Sequence, residues 1–198
     1  MEERFRDFKL KWNKILWILA FIAFLWLVQL LNFISGYIFL DYGILPRHIS
    51  GLMGIILSPF IHGSFIHLVS NSIPLLVFLS LMLIFYEKEF LLVSILGTLL
   101  TGLLIWLFGR LSIHVGASGM VYCLAGFLVA IGIFRKDVIS LIVSISIIAL
   151  YGGMVWGILP LKSWISWEGH LFGLLSGILF AYLLKGNKQS ISKSESMI

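Results

Sequence analysis

The sequence predicts an all-α membrane protein: six transmembrane helices and a long first loop partly embedded in the membrane. Three observations carry this reading. Of the 198 residues, 60% are hydrophobic and only 12% are charged, whereas a soluble domain keeps about 25% charged. The mean hydropathy is +1.07. The apolar residues fall into runs of about 20, the length that crosses a bilayer core, with the charges collected between them. A soluble enzyme or nucleic-acid-binding module is therefore excluded. The net charge of +5 reflects basic loops, so no nucleic-acid partner is expected, and membrane lipids are the expected surroundings. The single cysteine, Cys123, lies in an apolar run. It has no intramolecular disulfide partner, and packing is its expected role.

Residues 1–14 form a charged cytoplasmic N-terminal segment carrying Glu2, Arg4, Asp7, Lys9 and Lys14 among others. The first apolar run, Ile15 to Leu31, is long for a signal-peptide core and lacks a small-x-small cleavage pattern. It reads as a retained span, roughly 15–36. The next stretch, roughly 37–66, is apolar but broken by Gly43, Pro46, Gly51, Gly54, Pro59 and Gly63. Broken backbone at membrane depth is tolerated only when buried in protein or facing water. Span two runs from His67 to Tyr86, with Glu87-Lys88-Glu89 as a short turn. Span three is roughly 90–108, followed by an exposed loop, Gly109–Val115, with Arg110 and His114. Span four covers 116–134 and span five 138–158, with Arg135-Lys136-Asp137 between them. Span six is roughly 168–184, and residues 185–198 form a polar tail expected to be disordered. The six spans thus make one domain, 15–184.

Lysine and arginine concentrate on cytoplasmic loops. With the N-terminus inside, eleven fall on the inner side and only Arg47, Arg110 and Lys162 on the outer. Both termini are then expected to be cytoplasmic, and His67, Ser118 and His170 all lie at outward span ends.

Those three residues carry the chemistry. Ser118 stands in Gly116-Ala117-Ser118-Gly119, where a helix begins and the first backbone N–H groups have no intrahelical partner. Free N–H groups beside a hydroxyl suit an acyl-transfer site, although the same small residues also suit helix packing. In span six, His170, Gly173, Gly177 and Ala181 share one face, as do Ser118, Tyr122 and Gly126 in span four. Packing the two faces would bring His170 against Ser118 and Tyr122. A membrane histidine is costly unless paired or wet, and so marks a functional site. His67 and Asn71 share a face of span two. Both can donate toward a common point, or serve as polar glue between helices.

Taken together, Gly116-Ala117-Ser118-Gly119 with Tyr122, His67-xxx-Asn71 and His170-xx-Gly173-xxx-Gly177 resemble the signature of the rhomboid intramembrane serine proteases. Ser58–Phe65 resembles the family's segment before span two. The resemblance spans residues 15–184. It implies a rhomboid-like core and a Ser118–His170 dyad that cleaves membrane-embedded segments of transmembrane protein substrates. The oxyanion would be held by the Ser118 N–H, His67 and Asn71, with His170 stacked on Tyr122 and with Gly116 and Gly119 in support. Many rhomboids carry Trp-Arg in the first loop; here those positions are Met53 and Gly54, which implies a different anchor. The size suggests a prokaryotic plasma membrane enzyme.

Other chemistries fit less well. The chain has no His-Glu-xx-His and no aspartate within a span. No carboxylate is expected inside any span, and Glu168, two residues from His170, would point away from it. His62, His67 and His170 lack a carboxylate or cysteine to complete a metal set. No metal or organic cofactor is expected. His114 would compete as base only if its loop brought it to Ser118. Two further readings are a rhomboid-like pseudoenzyme that binds transmembrane helices without cutting them, and a small transporter. The first usually lacks the serine or histidine. The second would show repeats or an ionisable midplane pathway.

Overall fold

The computed structural model describes residues 2–161 and 165–186, with side chains from Lys14 onward. Five helical rods have the length and apolarity to cross a membrane, and a sixth of 17 residues completes the bundle. Helix α1, Glu2–Ile34, crosses with Lys14–Ile34. It stops where Gly36 and Tyr37 take left-handed backbone, φ 73° and 66°.

The first loop then folds into three short 3₁₀ turns and one turn of α-helix, α2 (Gly54–Leu57). Helix α3 is Phe65–Phe85, begun by Ser64, whose hydroxyl accepts from the His67 N–H. Helix α4 (Glu87–Leu92) runs through a wide π turn, Val93–Gly97, into α5 (Thr98–Phe108). Helices α6 (Ser118–Arg135) and α7 (Val138–Tyr151) follow, and a 3₁₀ segment, Gly152–Ile158, extends α7. Helix α8, Trp167–Leu183, closes the bundle.

The centre is α6, of which 72% is buried in protein, against 22% for the α1 and α7 spans. The α6–α8 contact is backbone on backbone. A Cβ at Gly173 would lie 2.4 Å from the Gly119 carbonyl, one at Gly177 2.0 Å from the Cys123 carbonyl, and one at Gly126 2.5 Å from the Leu174 carbonyl. Only glycine permits this approach, so the shared-face pattern in the sequence is the packing seam.

Several boundaries differ from expectation. Span four starts at Ser118, because Gly116 has φ +117° and cannot continue a helix. Glu87-Lys88-Glu89 is no turn: the chain reverses at Tyr86 and the three residues are the first turn of α4. Glu89 and Glu168 both lie within first turns of crossing helices, so carboxylates do enter the spans. Glu89 is buried against Arg135, with Nη2 to Oε1 at 2.6 Å. The same Nη2 donates to the Leu184 carbonyl, and the guanidinium lies over the Tyr86 ring. This joins three helix ends on the same side of the bundle. Residues 187–198 of the expected tail, and Lys162 with its two neighbours, lie outside the described residues.

The first loop has its own anchor. Arg47, in left-handed backbone at φ 60°, donates through Nη1 to the Gly109 carbonyl at 2.7 Å and the Leu107 carbonyl at 3.3 Å. A cation thus caps the negative end of α5. Trp106 returns the contact, its indole N–H donating to the His48 carbonyl at 2.9 Å. An arginine and a tryptophan bind this loop to α5 from positions outside the usual Trp-Arg pair.

Candidate active site

Ser118, His170, Tyr122, His67 and Asn71 line one cavity of about 630 Å³ between α3, α6 and α8. Arg110, Ser112 and Ser166 add polar groups to its lining, and Met154 borders it. Ser118 is the first residue of α6 and is buried. Its own N–H points out of the helix start without an intrahelical partner. The preceding Ala117 N–H is already committed, donating to His62 Nε2 at 3.3 Å. Gly116 in turn donates to the Ser58 carbonyl at 2.9 Å.

The left-handed backbone of Gly116 turns the chain into α6, and its missing side chain admits a ring. A Cβ there would lie 2.6–2.7 Å from His67 Cε1 and Nε2. His67 therefore lies directly on the turn that presents Ser118. One helical turn further along α3, the buried Asn71 Nδ2 has no hydrogen-bond partner. It is a buried donor with no protein acceptor, on the cavity that Ser118 also lines.

His170 stacks flat on Tyr122, with ring centroids 4.1 Å apart and planes 9° apart. Its Nδ1 lies 2.8 Å from the Gly157 carbonyl. A carbonyl only accepts, so Nδ1 carries the proton and Nε2 keeps its lone pair. The Tyr122 hydroxyl donates to the Met154 carbonyl at 2.7 Å. Glu168 faces away, toward Arg110, with Oε1 3.4 Å from Nε.

His114 is corrected in one respect. Its loop was expected to be exposed, yet the residue is 2% exposed. Its backbone forms a two-way bridge with Ile44. Its Nδ1 accepts from the Ser166 hydroxyl at 2.6 Å and its Nε2 donates to the Arg110 carbonyl at 3.1 Å. With both nitrogens spent and burial holding its pKa below the usual histidine value, it has no lone pair left for Ser118. Ser166 also accepts from the Gly169 N–H and so caps α8.

Sequence reasoning assigned His62 only to a motif and a metal trio. It is fully buried, edge-on to His67, and its carbonyl accepts from Asn32. Burial lowers its pKa to about 3, so it is a neutral acceptor that fixes the backbone before Ser118. The carbonyls of Gly157 and Met154 were also missed, since main-chain acceptors leave no mark on residue type.

Fold and cavity together define a polytopic integral membrane protein with a polar chamber cut into its helix bundle. The Rhomboid domain matches residues 50–187, and the chain belongs to this family, whose members are generally intramembrane serine proteases. The chain is 35% identical over 176 residues to Uncharacterized protein Rv1337 of Mycobacterium tuberculosis, covering 84% of this chain and 73% of that one. It is 33% identical over 179 residues to Uncharacterized protein ML1171 of Mycobacterium leprae, with 84% and 70% covered.

Proposed function

We propose that this chain is an intramembrane serine endopeptidase that uses Ser118 as nucleophile and His170 as base. The observation that carries the reading is the state of His170. Its Nδ1 proton is held by a carbonyl, its ring is fixed on Tyr122, and Nε2 is left free on the cavity that Ser118 also lines. His170 Nε2 takes the hydroxyl proton as Ser118 Oγ attacks a peptide carbonyl, then passes it to the leaving amine. A water repeats the step on the acyl-enzyme and restores Ser118. The developing oxyanion is met by the Ser118 N–H, the Asn71 amide and His67. The Asn71 Nδ2 supports this role, because no protein acceptor claims it and a developing oxyanion would be one. No carboxylate orients His170, and no cofactor enters the scheme.

The substrate is a transmembrane segment presented in extended form, because a helix hides its carbonyls in its own hydrogen bonds. The catalytic unit is residues 15–184, inserted with both termini cytoplasmic in a prokaryotic plasma membrane. Labelling with a fluorophosphonate probe tests the reading, alongside cleavage of a model membrane substrate. The wild type is expected to label and cleave, and Ser118→Ala to do neither. A wild type that binds membrane helices but neither labels nor cleaves would make the chain a pseudoenzyme.

A further inference from the structure

We infer that the main-chain carbonyl of Gly157, on the 3₁₀ segment that ends α7, is the positioning acceptor for His170, doing the job that a carboxylate does in a three-residue triad. The inference rests on the Ser118–His170 reading and adds to it a third member that no side chain supplies.

Three observations converge on Gly157. The first is the 2.8 Å contact between His170 Nδ1 and its carbonyl. Such a bond selects one tautomer, and a base with its proton on the wrong nitrogen cannot accept from serine. The second is the absence of a side chain. A Cβ at Gly157 would lie 2.0 Å from the Tyr122 hydroxyl oxygen and 3.0 Å from His170 Nδ1. The backbone φ is not left-handed here, so glycine is needed for closeness to the stacked rings rather than for conformation. The third is the Met154 carbonyl, three residues earlier, which accepts from the Tyr122 hydroxyl at 2.7 Å. One short segment therefore holds both rings of the stack by their polar edges.

That segment lies at the edge of the core, which it meets through the partly buried Met154. None of its residues, Gly152–Ile158, is buried, and Trp156 and Val155 are 66% and 51% exposed. Its polar contacts with the rings are main-chain acceptors that orient the base. Glu168 is unavailable for the same task, because it is turned toward Arg110. A neutral acceptor also suits the site. It fixes the tautomer without bringing a second charge to membrane depth, where desolvation is costly.

Gly157→Ala tests this. The new methyl forces the segment off the rings and breaks the Nδ1 bond. The expected result is a loss in kcat of at least about tenfold, with KM little changed and slower fluorophosphonate labelling of Ser118. Thermal stability should stay close to wild type. Removing the oxygen that the methyl meets leaves only the contacts at 3.0 Å with His170 Nδ1 and 3.1 Å with the ring carbon, so Gly157→Ala should cost less in a Tyr122→Phe background than in the wild type. Nitrogen-15 NMR of the histidine-labelled wild-type protein reads the tautomer directly, with His170→Gln assigning the signal. The expected signal is a neutral ring protonated at Nδ1.

A proton on Nε2 in the wild type would overturn the proposal, and this measurement stands even if Gly157→Ala fails to fold. Wild-type kcat in Gly157→Ala would also overturn it, as would losses that simply multiply in the double variant. Failure of the underlying dyad is read separately, as continued turnover by Ser118→Ala.

Discussion

Replacing Gly177 by alanine should slow catalysis from two helical turns away. The added Cβ would lie 2.0 Å from the Cys123 carbonyl oxygen and 2.7 Å from the Phe127 nitrogen. Both are backbone atoms of α6, so no rotamer change relieves the contact. Ordinary contact of a Cβ begins at 3.4 Å, so α8 must move off α6 by about 1.4 Å. Helix α8 is a hydrogen-bonded rod, and His170 rides on it, seven residues toward its start. A misplacement of about 1 Å costs on the order of 10²-fold in rate, equivalent to about 2.7 kcal/mol in barrier. Overpacking should also remove about 1–3 kcal/mol of stability. Initial rates on a model membrane substrate, paired with reversible unfolding in mixed micelles, separate the two effects. Gly186→Ala, where nothing lies within 4 Å, is the matched control and should behave as wild type. A Gly177→Ala enzyme that cleaves within about twofold of wild type would refute the reasoning, because the seam would then not set the position of the base.

Asn71→Ala and His67→Ala should each lower kcat by about 10²-fold or less with modest loss of stability; full rate with easy unfolding would make the pair interhelical glue instead. Arg135→Leu should destabilise the fold by about 3–5 kcal/mol, because it strands the buried Glu89 charge, while Arg135→Leu with Glu89→Met should recover most of that in the same unfolding assay. Stability should also fall in acid through His62, whose folded pKa of about 3 is below the unfolded value. Its neutral form is favoured by folding, so this stability is complete above about pH 6.5 and is lost by up to about 1.4 kcal/mol per pH unit down to pH 3. His62→Gln should flatten that part of the stability–pH curve, and an unchanged slope would assign the effect to another group.

The parts of this architecture that were legible in the sequence are those written in periodicity. Spacings of three and four at His170, Gly173, Gly177 and Ala181, and of four at Ser118, Tyr122 and Gly126, name the faces that meet, because a helix repeats every 3.6 residues. The helix start near Ser118 was legible from the serine's place between glycines, although the expected span begins at Gly116, two residues too early. What stayed hidden depends on partners distant in sequence. The acids at 87–89 read as a polar turn because nothing local announces that Arg135 neutralises Glu89. His114 looked exposed because its short loop carries Arg110 between two spans, yet Ile44 and Ser166, 70 and 52 residues away in opposite directions, enclose it. The loop anchor was hidden too. Arg47 and Trp106 act through main-chain carbonyls, and such acceptors belong to every residue alike.

The burial of α6 has a consequence for how this chain can drift over generations. Lipid accepts almost any apolar side chain, so positions on α1 and α7, only 22% buried, are free to exchange leucine, isoleucine, valine and phenylalanine. Helix α6 touches protein on nearly every side, and its glycines meet neighbouring backbone or side chains on two flanks. A change there is tolerated only with a matching change on α7 or α8. Saturation mutagenesis scored by folded yield should therefore show one intolerant rod, Ser118–Arg135, inside a permissive shell, with the sharpest intolerance at Gly126 and Gly132, far from any reacting atom.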